Sequence, residues 1–127
     1  MNFEFSDDQL VMKEEVRKLF EKEDSVKRNR NILEGDENFD KDLWNKVVEM
    51  GLTAITIPEE HGGIGLGFLE LCVVAEEMGR AIAPIPYSSS VYLATTAIIN
   101  SSNDDLKKEY LPKPVSYTHL RAHETAY

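Results

Sequence analysis

Apolar residues recur at three- and four-residue steps in three separate stretches of the chain, each bracketed by residues that start or stop a helix. That spacing buries one face of an amphipathic helix and is incompatible with the two-residue alternation of a half-buried strand. In the first stretch the stripe is Met12, Val16, Leu19 and Phe20, with Lys13, Glu14, Arg17 and Lys18 on the other side. Ser6 followed three residues later by Gln9 makes a capping box, and Phe5 and Leu10 have the spacing of a hydrophobic staple. In the second, Asp40 is placed to cap a helix whose stripe is Leu43, Trp44, Val47 and Val48, and Gly51 ends it in a left-handed turn. The third stripe, Phe68, Leu71, Cys72, Ala75 and Met78, ends at Gly79 or a few residues later, before Pro84 and Pro86. No strand pair, internal repeat or low-complexity tract is evident, so the pattern predicts an all-α fold.

The intervening segments read as follows. The polar stretch from Lys27 to Asn38, with Gly35 and several asparagines, is expected to connect elements. Leu52 to Ile57 contains β-branched residues, but Pro58 cuts it off, and it is read as extended loop. The segment SSSVYLATTAIINSS, residues 88–102, is apolar or small on nearly every side, which predicts a central helix buried all round that can also line a cavity. Ser102 or Asn103 caps a last short helix through Tyr110, which Pro112 keeps from extending.

The stretch IPEEHGGIGLG, from Ile57 to Gly67, holds four of the chain's seven glycines directly before the third helix. A glycine loop opening a helix is a known way to hold phosphate. Here the dinucleotide fingerprint fails, because a frame begun on Gly63 and Gly65 meets Phe68 at its sixth position, and no lysine follows to make a Walker A loop. Glu59 and Glu60 would repel a pyrophosphate as well. The stretch is read as a tight loop between elements. Cys72, on an apolar stripe with no adjacent base, is read as core filling and not as a nucleophile. Glu59, Glu60, Glu76 and Glu77 are placed in a loop or on solvated helix faces, and none is assigned as a catalytic base.

With 127 residues and 42% hydrophobic content, the chain has one domain's length and enough apolar mass for a core. A formal charge of -9 and a pI near 4.8 set it against nucleic acid and anionic membrane surfaces. One cysteine allows no intrachain disulfide. The opening MNFEFSDDQ lacks the basic-then-apolar order of a signal peptide, and no apolar run is long enough to cross a bilayer. A soluble cytoplasmic protein, without nucleic-acid or membrane partners, is the expectation.

The ordered blocks FSDDQ…VRKLF, LWNKVVEMGLTAITIPEEHGGIGLG, LCVVAEEMGRAIAP and NDDLKKEYLPK closely resemble the N-terminal helical domain of acyl-CoA dehydrogenases, from Phe3 to about Lys113. Several blocks in order are more specific than any lone glycine motif. The resemblance implies an orthogonal helical bundle over residues 1–113, belonging to an FAD-dependent enzyme that removes two hydrogens from an acyl-CoA thioester. A glutamate base takes the α-proton, FAD accepts the β-hydride, and electron-transferring flavoprotein or a similar acceptor reoxidises the flavin. The full-length enzyme is then a homodimer or homotetramer. The family's glutamate lies in another domain, so no catalytic residue falls in this chain, and the fragment alone is expected to be inactive; which residues here touch the cofactor is left unknown. What carries over is the wall of the acyl slot, at Pro86, Ser89, Ser90 and Leu93. The alternative for those positions is that the serines cap the buried helix and Leu93 is ordinary core. Tyr87 either limits chain length or packs. The rival to the whole assignment is a stand-alone helical interaction module without catalysis, and a TEPxxGSD-like stretch continuing past Lys113 would discriminate against it.

The resemblance breaks at VSYTHLRAHETAY. His119, His123 and Glu124 give two possible zinc ligands four apart and an acid, but HLRAHE does not match H-E-x-x-H and lacks further ligands, so no metal site is expected. The segment resembles read-through of a cloning or sequencing oligonucleotide. Residues 114–127 are accordingly expected to be a non-native or disordered tail.

Overall fold

The structure is a computed structural model that describes residues 3–115. All regular secondary structure among them is helical, in agreement with the periodicity. In chain order the helices are α1 (Asp7–Lys22), α2 (Ser25–Glu34), α3 (Lys41–Glu49), α4 (Phe68–Arg80), α5 (Thr96–Ile99), α6 (Asp104–Tyr110) and α7 (Pro112–Val115). Two 3-10 turns, Leu52–Ala54 and Glu59–His61, lie between α3 and α4, and a π-helix, Ser88–Thr95, leads into α5. The chain divides into two compact units, one of residues up to Asp40 together with Phe68–Pro84, the other of Lys41–Gly67 and the residues from Ile85 onward.

In the first unit α1 starts where the capping box places it. The Ser6 hydroxyl accepts from the Gln9 N–H at 3.2 Å and the Gln9 side chain accepts from the Ser6 N–H at 2.8 Å. The staple is only half formed, because Phe5 is half-buried while Leu10 is exposed. Val16 and Phe20 are buried as predicted. Helix α1 runs alongside α4 in the same direction, since Gln9 bonds Glu70, Lys13 pairs with Glu76 and Arg17 with Glu77. Lys13 and Arg17 therefore do not lie on a free outer face. The segment expected to be a connection, 27–38, is mostly helix α2. Asp24 starts it from a left-handed backbone, accepting from the Lys27 N–H, and Arg28 bridges Glu23 at 2.9 Å and Asp40 at 3.0 Å. Polar bridging of this kind leaves little apolar periodicity to read.

Two expectations for α4 are corrected. Cys72 is exposed, as is Phe68, because the buried face consists of Leu71, Val73, Val74, Glu77 and Met78. That face is turned toward Val73 and Glu77 relative to the predicted stripe, and a carboxylate occupies it where an apolar residue was anticipated.

In the second unit all four stripe residues of α3, Leu43, Trp44, Val47 and Val48, are buried, and Gly51 leaves the helix in the left-handed region at φ 79°. Leu52 to Ile57 is not extended. It coils into the first 3-10 turn and a following bend, burying Leu52, Thr53, Ala54, Ile55 and Ile57. Ala54, Ile57, Ala94, Ile98 and Leu111 form a core, with Ile99, Leu106 and Tyr110 packed on it. The Thr53 hydroxyl donates to the Pro114 carbonyl. Asn103 caps α6, accepting from the Leu106 N–H at 3.1 Å, and Pro112 opens α7 at the first position of a helix, where its missing N–H costs nothing.

The glycine loop closes on itself. The N–H groups of Gly62, Gly63, Ile64, Gly65 and Leu66 donate to the carbonyls of Glu59, Pro58, Ala54, Ile57 and Ile55 at 2.8–3.1 Å. Those amides are committed to the chain's own backbone, which settles the phosphate question on geometry. A Cβ at Gly63 would lie 2.0 Å from the Ile57 carbonyl oxygen, so the close approach requires glycine there.

Candidate functional site

Pro84 and Pro86 hold the approach to the central helix out of helical bonding, and winding begins at Tyr87. The Tyr87 ring is buried, and its hydroxyl donates to the Leu52 carbonyl at 2.6 Å, anchoring the helix start to the first 3-10 turn. Burial, aided by the neighbouring Tyr92, pushes the phenol's pKa far above its ordinary range, so the hydroxyl stays protonated and donating. Tyr92 meets Tyr87 edge to face, with centroids 5.4 Å apart and planes at 85°.

From Ser88 the helix is wound as π, one residue wider per turn than α. Its packed side carries Ser90, Val91, Ala94, Thr95 and, in α5, Ile98, all buried. Its other side carries Ser89 and Tyr92, both half-buried, and Leu93 and Ala97, both exposed. The expectation of a helix buried all round is corrected to one buried on one side. Of the four residues singled out for the slot, Pro86 is half-buried, Ser89 and Leu93 lie on the open side, and Ser90 lies on the packed side. Leu93 is 64% exposed, which is not the exposure of ordinary core. Ser89 donates to the Pro86 carbonyl at 3.3 Å. The Ser90 hydroxyl has no hydrogen-bond partner among the described residues.

The first unit holds a second feature that sequence reasoning missed. Glu77, expected on a solvated face, is buried, and Arg17 grips it twice, Nε to Oε2 at 3.2 Å and Nη2 to Oε1 at 2.9 Å. Lys13 stands 4.0 Å away. The Arg17 hydrogen bonds hold the carboxyl below its ordinary pKa against the opposing effect of burial. The pair borders a cleft of about 290 Å³ that Phe20, Glu21, Asp24, Ser25 and Arg80 also line. A carboxylate with both oxygens engaged and its pKa lowered is a poor proton acceptor, and the Ser25 hydroxyl is spent on the Ala81 carbonyl at 2.6 Å. Neither Glu77 nor Ser25 is therefore free to act as a base there. Glu59, Glu60 and Glu76 are exposed, without the burial that tunes a catalytic carboxyl. The signal for Glu77 was present in the sequence as Arg17, placed one helical turn beyond Lys13, but only the pairing of α1 with α4 reveals it.

Among the described residues no group of His, Cys, Asp and Glu is arranged to hold a metal ion, and no helix is long and apolar enough to cross a membrane. His119, His123 and Glu124 lie outside the described residues.

Comparison with known proteins agrees with this architecture. The family model described as "Acyl-CoA dehydrogenase, N-terminal domain" matches residues 6–118. Isovaleryl-CoA dehydrogenase, mitochondrial, of Arabidopsis thaliana is 34% identical over 122 residues, covering 93% of this chain and 29% of the relative. The ChsE4-ChsE5 complex from Mycobacterium tuberculosis contains a chain that is 26% identical with a TM-score of 0.81, covering 92% of this chain and 32% of that one. A chain in the structure of the electron transferring flavoprotein of Acidaminococcus fermentans is 29% identical with a TM-score of 0.72, over 94% of this chain and 32% of that one. The chain thus spans about 29% of the length of the curated relatives it matches first. By the extent of the family match and the helical fold, this chain belongs to the acyl-CoA dehydrogenase family, as its N-terminal helical domain.

Proposed function

We propose that the chain is the N-terminal domain of an FAD-dependent enzyme that introduces an α,β double bond into an acyl-CoA thioester, and that its own part is to wall the acyl slot with Pro86, Ser89, Ser90 and Leu93. The observation that carries this reading is the open side of the π-helix, where an apolar side chain, Leu93, faces outward beside the half-buried Ser89. An apolar residue held on a rigid helix and left unpacked suits a hydrocarbon chain lying along it. Ser90, on the packed side, supports the helix instead of touching the chain directly.

The described residues do not by themselves fit a flavin. The glycine-loop amides are committed to backbone carbonyls, and the cleft beside Glu77 is lined by a closed ion pair and by the carboxylates of Glu21 and Asp24, which would repel a pyrophosphate. In the proposal the FAD, which supplies the hydride-accepting chemistry, and the proton-abstracting glutamate are held by the rest of the enzyme. Electron-transferring flavoprotein or a similar acceptor is the proposed redox partner, and a homodimer or homotetramer the proposed assembly of the whole enzyme; the likeness to a chain solved with an electron transferring flavoprotein supports the former.

The test is Leu93→Phe in the full-length enzyme, assayed across acyl-CoA chain lengths. A bulkier wall should lower kcat/KM for the longest accepted substrates by about tenfold and leave the shortest nearly unchanged, since a methylene or two in an apolar slot is worth that much. A uniform effect at every length, or none at any, would count against Leu93 as slot wall.

A further inference from the structure

The π winding of Ser88–Thr95 is held at its C-terminal end by two hydroxyls. Thr95 Oγ1 donates to the Ser90 carbonyl at 2.6 Å, and Thr96 Oγ1 donates to the Val91 carbonyl at 3.1 Å. Both bonds reach back five residues. In an α-helix a threonine hydroxyl reaches the carbonyl three or four residues back. Here the same short side chains find the fifth carbonyl because the π turn brings it within range, so each bond is satisfied by the wide winding and would be stretched or lost by the narrow one.

We propose that Thr95 and Thr96 are positioning residues that fix the π winding and thereby select which side chains face the acyl slot. Thr95 is fully buried, so its hydroxyl must keep a protein partner, and in the wide form that partner is the Ser90 carbonyl at 2.6 Å. Downstream, Ile98 is locked into the core with Ala94 and Leu111, which fixes the helix at that end. Upstream, the Tyr87 hydroxyl is tied to Leu52. Returning one turn to α winding takes up one residue less, which rotates the residues between the two anchors by up to about 100°, one residue's step around an α-helix. That rotation would carry Leu93 away from the open side and bring a neighbour into its place. The unpartnered Ser90 hydroxyl fits the same picture, since Ser90 sits inside the wide turn, where the Pro86 carbonyl already receives the Ser90 N–H and the Ser89 hydroxyl.

The assignment of Leu93's outward side to an acyl chain rests on the proposed function; the winding itself does not, and the experiment separates them. In a Cys72→Ser background, which removes the exposed native thiol, Leu93→Cys and Ala94→Cys are introduced singly into the 127-residue chain and alkylated. With both threonines present the thiol at 93 should react much faster than that at 94, because Leu93 is 64% exposed and Ala94 5%. Thr95→Val combined with Thr96→Val should collapse or invert that ratio, while Thr95→Ser with Thr96→Ser should preserve it. Where the double valine variant does not melt cooperatively, Thr96→Val alone, at the half-buried position, is read in the same way. An unchanged ratio in a folded valine variant would overturn the proposal. In the full-length enzyme the same valine pair should change the relative kcat/KM for long and short acyl-CoA by about tenfold. A shifted labelling ratio with an unshifted substrate profile would leave the winding role standing and remove the slot from the proposed function.

Discussion

Glu77 and Ile82 show how much single residues govern here. Glu77 is buried and bound twice by Arg17, so Glu77→Gln removes the charge that Arg17, Lys13 and Arg80 converge upon. The expected loss is about 2 kcal/mol, below that of a fully buried pair because Arg17 keeps one edge in water. The sign of the pH dependence follows from the lowered carboxyl pKa. Its stabilisation is complete above the ordinary value of 4.5 and is lost as pH falls through the lower folded value. Acid denaturation curves of the Gln variant should therefore be flatter than those of the parent across that window, and coincident slopes would show that the pair does not couple to folding. Ile82 carries the opposite message. It takes a left-handed backbone at φ 51° just after α4, where the Ala83 N–H reaches the Met78 carbonyl at 3.3 Å and the Ile82 N–H reaches that of Gly79 at 3.2 Å. That is a helix end suited to glycine, and a β-branched residue there is strained by roughly 1 kcal/mol or more. Ile82 is 56% exposed, so Ile82→Gly gives up little burial and should raise the melting temperature by about 4 °C. A lowered melting temperature would mean the side chain contributes packing that its exposure does not suggest.

At the level of elements, legibility followed the source of each helix's stability. α3 was readable because four apolar side chains at helical spacing are all buried and Gly51 follows its end in the left-handed region. α1 was readable because its capping box is local, and Ser6→Ala should cost about 1 kcal/mol in a thermal melt, with a null result showing that the Gln9 side chain suffices alone. α2 was not readable, since its start depends on a left-handed Asp24 and its anchorage on the Arg28 bridges to Glu23 and Asp40, none of which leaves an apolar stripe. The stripe of α4 was misread by part of a turn because the buried face includes a carboxylate, and a pattern of hydrophobicity cannot register a charge that is buried by pairing. For the candidate site, the segment was singled out through resemblance, whereas the division of Ser90 from Leu93 was hidden. Periodicity assumes 3.6 residues per turn, and the π winding shifts every face it assigns.

For the molecule as a whole, the apolar side chains of Phe3, Leu33, Phe68, Ile82 and Leu93 are each more than half open to solvent. The isolated chain should retain no FAD after mixing with excess cofactor and desalting, because one helical wall cannot surround a flavin. A retained flavin absorbance would mean that a cradle exists on this chain after all. The division of the chain has a kinetic consequence too. Helix α1 finds its partner α4 about sixty residues later, the span between Arg17 and Glu77, and one part of the second unit, Lys41–Gly67, is interposed. During synthesis α1 emerges well before α4, so the segment carrying α1 and α2 waits without that partner helix, a natural client for a chaperone.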